Sequence, residues 1–417
     1  MAADHRATDG AIFHGWYVVG AAFAVLFLAY GLQFSYGVFV TSMASDLGWS
    51  RAQTTLPYSI YVFLYSVLSA VTGRATDRFG PRIVIRTGAV LLGLGWGLSA
   101  VVAKPWHLNV TLGLVAALGM SVAWVPCDAT VARWFTRRRG TAVAIASTGA
   151  SFGNFIVPAL VAALIPYWGW RMILGVLATL SALCIFIVAR YMVRDPEALG
   201  LWPDGDQVSP PHAELTGGQT VRELLWTESF MLIIGIYFLS WLVVFVPFVH
   251  APAYAQDLGL SALMSASVLS VIGLGGMVGR LSSGVVSDVL GRCPTLLVIC
   301  AMQAAGFVLF ARAEGTLSLW FAALVFGISY GGGVTVLPPL CGDLFGRAHV
   351  ASVVGAIFAI AGSPAAFGPY LAGWLYDTTG GYGAAFLWAA ALNVLAFLLT
   401  GVLAWRLRSR RGVAGIA

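Results

Sequence analysis

Long apolar stretches separated by short polar breaks run along this chain almost from end to end. A helix that crosses ~30 Å of hydrocarbon needs ~20 largely apolar residues. Stretches of that order fall near residues 16–41, 54–73, 83–103, 108–132, 142–165, 172–190, 229–254, 262–284, 294–311, 317–342, 351–373 and 385–405. A membrane β-strand would instead alternate strictly over ~10 residues, and runs such as Val84 to Val102 and Leu296 to Phe310 do not. The pattern predicts an all-α membrane protein with twelve transmembrane helices. Met1 to His14 is polar and mixed in charge, and the first apolar run is long enough to stay in the membrane, so no cleavable signal peptide is expected.

Composition gives the physical reason for that reading. Of 417 residues 59% are hydrophobic and 10% charged, with a mean hydropathy of +0.87, more apolar surface than one water-soluble core can hide. The five cysteines, Cys127, Cys184, Cys293, Cys300 and Cys341, lack the paired spacing of metal or disulfide frameworks. No metal and no cofactor is expected. The formal net charge of +6 raises the question of nucleic acid, and the placement of the charges answers it. Of 23 basic residues only Arg51, Lys104, Arg171 and Arg312 fall in loops on one side and Arg280 within a span, leaving 18 on the other side with both termini. Under the positive-inside rule both termini are cytoplasmic and the chain is a multi-pass protein of a cell (inner) membrane. The partner implied is the lipid bilayer, not nucleic acid.

One long polar stretch, 191–228, carries Pro196, Pro203, Pro210 and Pro211 and reads as a cytoplasmic linker. It divides the chain into six spans in 1–190 and six in 229–417. The halves repeat: Gly73, Asp77 and Gly80 recur as Gly284, Asp288 and Gly291, each pair 211 positions apart. The first copy reads Gly73-Arg-Ala-Thr-Asp77-Arg78-Phe-Gly80-Pro-Arg82 and resembles the signature loop of the major facilitator superfamily. That resemblance implies two pseudo-symmetric six-helix bundles around a central cavity, rocking about a midplane site. Its glycines let helices approach closely, while Asp77 can accept from helix N-termini or pair with arginines and latch the cytoplasmic side.

A second resemblance narrows the family. Trp134-Phe135-Thr136-Arg137-Arg138-Arg139-Gly140-Thr141-Ala142 leads into Ser147-Thr148-Gly149-Ala150-Ser151-Phe152-Gly153. With Asp9-Gly10 before Gly15-Trp16, and Ser35-Tyr36-Gly37-Val38-Phe39, it is similar to the monocarboxylate transporter family, as a bacterial homologue. Oxalate/formate exchangers look alike in the same places. The resemblance implies a secondary transporter, a proton-coupled symporter of a small monocarboxylate such as lactate or pyruvate. An anion exchanger is the alternative, and a sensor on a transporter scaffold the alternative from another class.

Arg280 is the residue to which this reading gives most weight, because a guanidinium inside a hydrophobic span is costly unless it meets water or an anion. Gly273, Gly275, Gly276 and Gly279 leave room beside it. Members of the family carry an arginine in a similar context on span eight, and the resemblance implies that Arg280 grips the substrate carboxylate through its planar fork. A buried ion pair with Asp128 or Asp343 is the structural alternative. The aspartate that well-coupled members place one turn before that arginine is Gly276 here, and their span-one lysine is absent around Gln33-Phe34-Ser35. The proton then falls to Asp257 or His250, near the outer end of span seven. Ser151, Asn154, Tyr330 and Ser363 are expected to add hydrogen bonds to a small hydroxyacid. Asp128 and Asp343, near the cytoplasmic ends of spans four and ten beside Arg133 and Arg347, are expected in a closing ion-pair cluster with Gly73, Asp77, Arg78, Gly80, Arg82 and Asp288. No Gly-x4-Gly-Lys-Ser/Thr loop and no His-Glu-x2-His string occurs, so neither an ATP-driven pump nor an intramembrane enzyme is expected.

Overall fold

The computed structural model describes residues 13–49, 51–206, 219–260 and 262–414. Asp9, Gly10, Pro210 and Pro211 lie outside the described residues. Among the described residues eleven helices are long and apolar enough to span a membrane. Pro81–Ser99, whose first turns carry Arg82 and Arg86, completes twelve. In chain order they are α1 His14–Phe39, α2 Leu56–Phe79, α3 Pro81–Ser99, α4 Pro105–Trp134, α5 Arg139–Val161 and α6 Ala163–Tyr191. The second half holds α7 Glu228–Ala251, α8 Ser267–Leu290, α9 Arg292–Ala311, α10 Thr316–Phe345, α11 Val350–Tyr376 and α12 Gly383–Ser409. Helices are what a lipid solvent demands, because every backbone N–H and C=O must be satisfied within the segment.

The repeated motif shows why its glycines stand where they do. Gly80 (φ 83°, ψ 154°) closes α2 and Pro81 opens α3. Gly291 (φ 92°, ψ 161°) makes the same reversal between α8 and α9. A side chain at either place would be forced into a region L-residues avoid, so the turn fixes glycine twice. A Cβ on Gly73 would overlap the Ala351 carbonyl, and one on Gly284 would overlap Ala144. These contacts are where α2 meets α11 and α5 meets α8, the two seams between the halves.

Within each half, small residues again set the spacing. Gly149 and Gly153 lay α5 against the Phe23 and Phe27 carbonyls of α1, and Gly275 and Gly279 lay α8 against the Leu324 and Ile328 carbonyls of α10. Without a hydrophobic drive between helices in lipid, such close backbone approach supplies the packing. The span α4 is irregular: its turns widen over Asn109–Ala116, return to one regular α-helical turn at Ala117–Met120, and after a short break continue as Trp124–Trp134. The stretch expected to be a cytoplasmic linker makes contacts at both of its described ends. Asp204 accepts backbone N–H groups from Thr136 and Arg137 at 2.9 Å each, and Gln219 donates its N–H to the Phe345 carbonyl. The linker thus ties the α4–α5 turn to the end of α10.

Candidate functional site: a central cavity and a clamp

Between the halves lies a cavity of about 60 Å³. Tyr30 and Gln33 of α1, Tyr65 and Ser66 of α2, Trp124 of α4 and Ser147 of α5 face it from one half. Trp241 of α7, Arg280 of α8, Tyr330 of α10 and Phe358 of α11 face it from the other. Trp124, Trp241 and Phe358 meet edge to face with ring centroids 4.8–5.9 Å apart, an aromatic wall that joins the halves. At ~10–15 Å³ per water position, the space holds a few water-sized groups.

Arg280 is the one charged side chain in the lining, with 5% of its surface exposed. Its Nε donates to the Ser151 hydroxyl at 2.9 Å, and its guanidinium carbon stands 5.7 Å from the centre of the Tyr330 ring. Among the described residues no carboxylate lies within ion-pair distance of it. The expected structural alternative, a pair with Asp128 or Asp343, is not formed. The serine holds the edge of the guanidinium, an arrangement that leaves the two terminal nitrogens to set the fork for a planar anion.

The other residues anticipated around the cavity divide. Tyr330 lines it, and Ser151 touches it through Arg280. Asn154 stands beside Gly273 on α8, and the Ser363 hydroxyl turns back to the Ala359 carbonyl at 2.7 Å; neither lines the cavity. His250 is tethered within its own half, one ring nitrogen 2.8 Å from the Pro369 carbonyl and the other 3.3 Å from the Tyr382 hydroxyl. Asp257 is exposed at the end of helix Val246–Asp257. Neither of these two expected proton carriers reaches the lining. Gln33 does reach it, buried and with its amide oxygen unpartnered. The sequence had marked that position only as a missing lysine.

At the end bearing the basic loops, the halves are clamped by two matching carboxylates. Asp77 Oδ2 accepts the Ser352 N–H at 2.7 Å and its hydroxyl at 2.5 Å, at the start of α11. Asp288 accepts the Gly140 and Thr141 N–H groups at 2.8 and 2.7 Å and the Thr141 hydroxyl at 2.8 Å, at the start of α5. Each carboxylate therefore caps the N-terminal turn of a helix in the opposite half, where free N–H groups and the helix dipole favour an anion. Thr141 and Ser352 are themselves 211 positions apart, so the two caps are related by the same repeat. Cations complete each cap: Arg133 pairs with Asp77, and Arg292 pairs with Asp288 at 2.5 Å.

Two expectations for this clamp need correction. Asp128 is not part of it: the side chain is fully buried between α4 and α5, bound by Trp124 Nε1 at 2.8 Å and by the Ser147 hydroxyl, because its helical face turns inward while Arg133, little more than a turn later, faces the loops. Asp343 does join it but not with Arg347. It pairs across the halves with Arg139, and with Arg292 at 2.8 Å, whereas Arg347 reaches Glu197 of the linker and the Arg133 carbonyl. Arg78 and Arg82 of the motif are exposed; Arg78 covers the Phe79 ring. Two Gly-x-Ser-x-Gly strings, at Gly149–Gly153 and Gly327–Gly331, sit inside α5 and α10 with no strand leading into the serine, so neither is a nucleophile elbow.

A double-capped six-plus-six helical fold around a central cavity defines a class of secondary transporter, and comparison with known proteins gives the family. Residues 22–369 match the Major Facilitator Superfamily model, and the chain belongs to that family. It is similar to monocarboxylate transporter 13 of Rattus norvegicus, 30% identical over 93% of this chain and 87% of the relative. It is also similar to monocarboxylate transporter 11 of Mus musculus, 30% identical over 93% and 86%. Among solved structures it superposes on the proton:xylose symporter XylE with a TM-score of 0.75, covering 92% of this chain and 94% of that one at 17% identity, a likeness of fold. The chain is a multi-pass membrane transporter, not an enzyme. These relatives are animal proteins, so the bacterial origin expected from the sequence gains no support from them.

Proposed function

We propose that this transporter moves small monocarboxylates such as lactate or pyruvate across a cell (inner) membrane together with a proton, by rocking its two halves about the central cavity. The observation that carries the reading is Arg280: a buried guanidinium at the cavity wall, held on one edge by Ser151 and, among the described residues, without an acidic partner. An unpaired buried charge costs several kcal/mol, and a substrate carboxylate is the ligand that would offset it. A single cation in the lining fits one carboxylate better than two, which favours a monocarboxylate over the dicarboxylate of an exchanger. Identity to monocarboxylate transporters over nearly the whole chain supports the same class. The test is uptake of labelled lactate, pyruvate, formate and oxalate into proteoliposomes with and without an imposed pH gradient. Lactate or pyruvate uptake driven by an acidic exterior is expected; oxalate-for-formate exchange indifferent to pH would replace the proposal with the exchanger.

In the same assay, Asp257→Asn and His250→Ala are expected to keep gradient-driven accumulation. The first residue is exposed away from the cavity, and the second is engaged by a carbonyl and a phenol within its own half. Loss of accumulation with exchange retained in either variant would return the proton to that residue.

The same reading orients the molecule with its clamped, basic end in the cytoplasm, following the 18-to-4 charge asymmetry. Cysteine labels in the 134–141 loop and in the linker should react only from the cytoplasmic side, and labels at 104–107 and 376–381 only from outside. External labelling of the 134–141 loop would reverse the orientation.

A further inference from the structure

Asp128 has no part in the clamp and, among the described residues, is paired with no cation, yet it is the most deeply buried acid described: none of its surface is exposed. Oδ2 takes both hydrogen bonds, from Trp124 Nε1 and the Ser147 hydroxyl, and Oδ1 has no partner. Both donors are themselves cavity-lining side chains. The carboxyl group therefore sits directly behind the cavity wall, one turn beyond Trp124 toward the clamped end of α4. Three titratable groups lie within electrostatic reach: Cys127 on its own helix, Tyr30 on α1 and Arg280 on α8. Arg280 is the only cation among them. An ionised carboxylate with one oxygen unsatisfied in a fully buried site is expensive, and a proton on that oxygen removes the charge.

We propose that Asp128 is the proton-carrying group of the transport cycle, coupled through Arg280 to the substrate; this rests on the monocarboxylate reading above. When Asp128 is ionised, its charge opposes an incoming carboxylate and occupies part of the field of Arg280. When it is protonated, that field is free for the substrate. Proton and anion then favour each other's binding by one shared factor, as linkage requires. One proton enters from external water and bonds to Asp128, the anion settles on Arg280, the halves rock, and both leave to the other side, with no other bond made or broken. The Ser147 hydroxyl, facing the cavity and bonded to the carboxylate, is the bridge by which the proton passes the wall.

The experiment uses the full chain in proteoliposomes with L-lactate as the probe, comparing the wild type with Asp128→Asn, Asp128→Glu and Ser147→Ala. In the wild type each imposed pH unit is expected to drive roughly tenfold accumulation. Asp128→Asn, which mimics the protonated acid and still accepts the two hydrogen bonds, should exchange lactate for lactate but accumulate none, and Asp128→Glu should recover part of the accumulation. Ser147→Ala keeps the acid but removes a donor used by its ionised form, so the pH profile of exchange should move toward alkaline by about one unit. A carboxyl group that only staples α4 to α5 would leave that profile in place. Gradient-driven accumulation by Asp128→Asn at the wild-type level overturns the assignment. If Asp128→Asn does not fold, an unmoved profile in Ser147→Ala overturns it as well. Wild-type protein that moves no monocarboxylate overturns the parent reading instead.

Discussion

Arg280→Lys is expected to lower lactate uptake about 10- to 100-fold while leaving the folded protein intact. The substitution keeps a positive charge in the same wall, so a role as a mere counter-charge would survive it. It removes the planar fork, and with it one or both of the parallel charge-assisted hydrogen bonds to a carboxylate, each worth ~1.5–3 kcal/mol. At ~1.4 kcal/mol per tenfold, the loss of one such bond gives the range stated. Arg280→Ala should abolish the thermal stabilisation by substrate that a folded, binding-competent protein shows, about 2.7 kcal/mol at a hundredfold excess of ligand over its Kd. Without ligand, the same variant should be at least as stable as the wild type. Were Arg280 half of a buried ion pair, its removal would strand an acid at a cost of ~3–5 kcal/mol; among the described residues the guanidinium meets Ser151 and the Tyr330 ring and no carboxylate. Thermal unfolding and uptake measured side by side in both variants decide the matter. A well-folded Arg280→Ala that still binds and moves monocarboxylates at the wild-type rate would remove the substrate from Arg280.

Different parts of this molecule were legible in the sequence to different degrees, for physical reasons. The spans could be read because lipid imposes a length and a composition on each segment locally, and the structure moves their ends by up to nine residues, most at the start of α6. Arg280 could be read because one charge in an apolar run stands out whatever it faces. Asp77 and Asp288 could be read from a repeated local string, but their partners could not, because the caps are made by backbone N–H groups of helices in the opposite half. Thr141 and Ser352 stand at the same 211-residue offset, but nothing in the string ties either of them to a carboxylate of the opposite half. Asp128 was misplaced because distance from a helix end does not say which face a side chain takes: little more than a turn separates it from Arg133, and that is enough to send one inward and the other to the clamp. The aromatic wall of Trp124, Trp241 and Phe358 had no signal, since 13% of the chain is aromatic and only three-dimensional packing selects those three. His250 and Asp257 drew attention by residue type, and their surroundings, a carbonyl and a phenol for one and an open helix end for the other, were beyond what the string could convey.

Neutralising both caps, Asp77→Asn with Asp288→Asn, is expected to open the clamped end on the order of a thousandfold more often. Hydrogen bonds to a charged acceptor contribute ~1.5–3 kcal/mol each and those to a neutral one ~0.5–1.5. Asp77 accepts two such bonds from Ser352, and Asp288 three from Gly140 and Thr141. All five cross between the halves, so they exist only while this end is shut. Losing the charge should therefore cost the shut state about 2–3 kcal/mol per site, or roughly 30- to 100-fold in its population relative to the open one. The sites lie on separate seams, α2 with α11 and α5 with α8, so their effects should add. A cysteine in place of Ser66, which faces the cavity, reports the change in a background with the five native cysteines removed. Its reaction with a membrane-impermeant thiol reagent from the basic-loop side should accelerate in each single variant and most in the double one, while lactate uptake falls because one of the two alternating states is now over-populated. Equal labelling rates in the wild type and the double variant would mean that the capped helices are not what holds this end closed, and would shift that role to the other contacts across it, the Arg139–Asp343 pair and the bonds of Arg133 and Arg347 to backbone carbonyls of the opposite half.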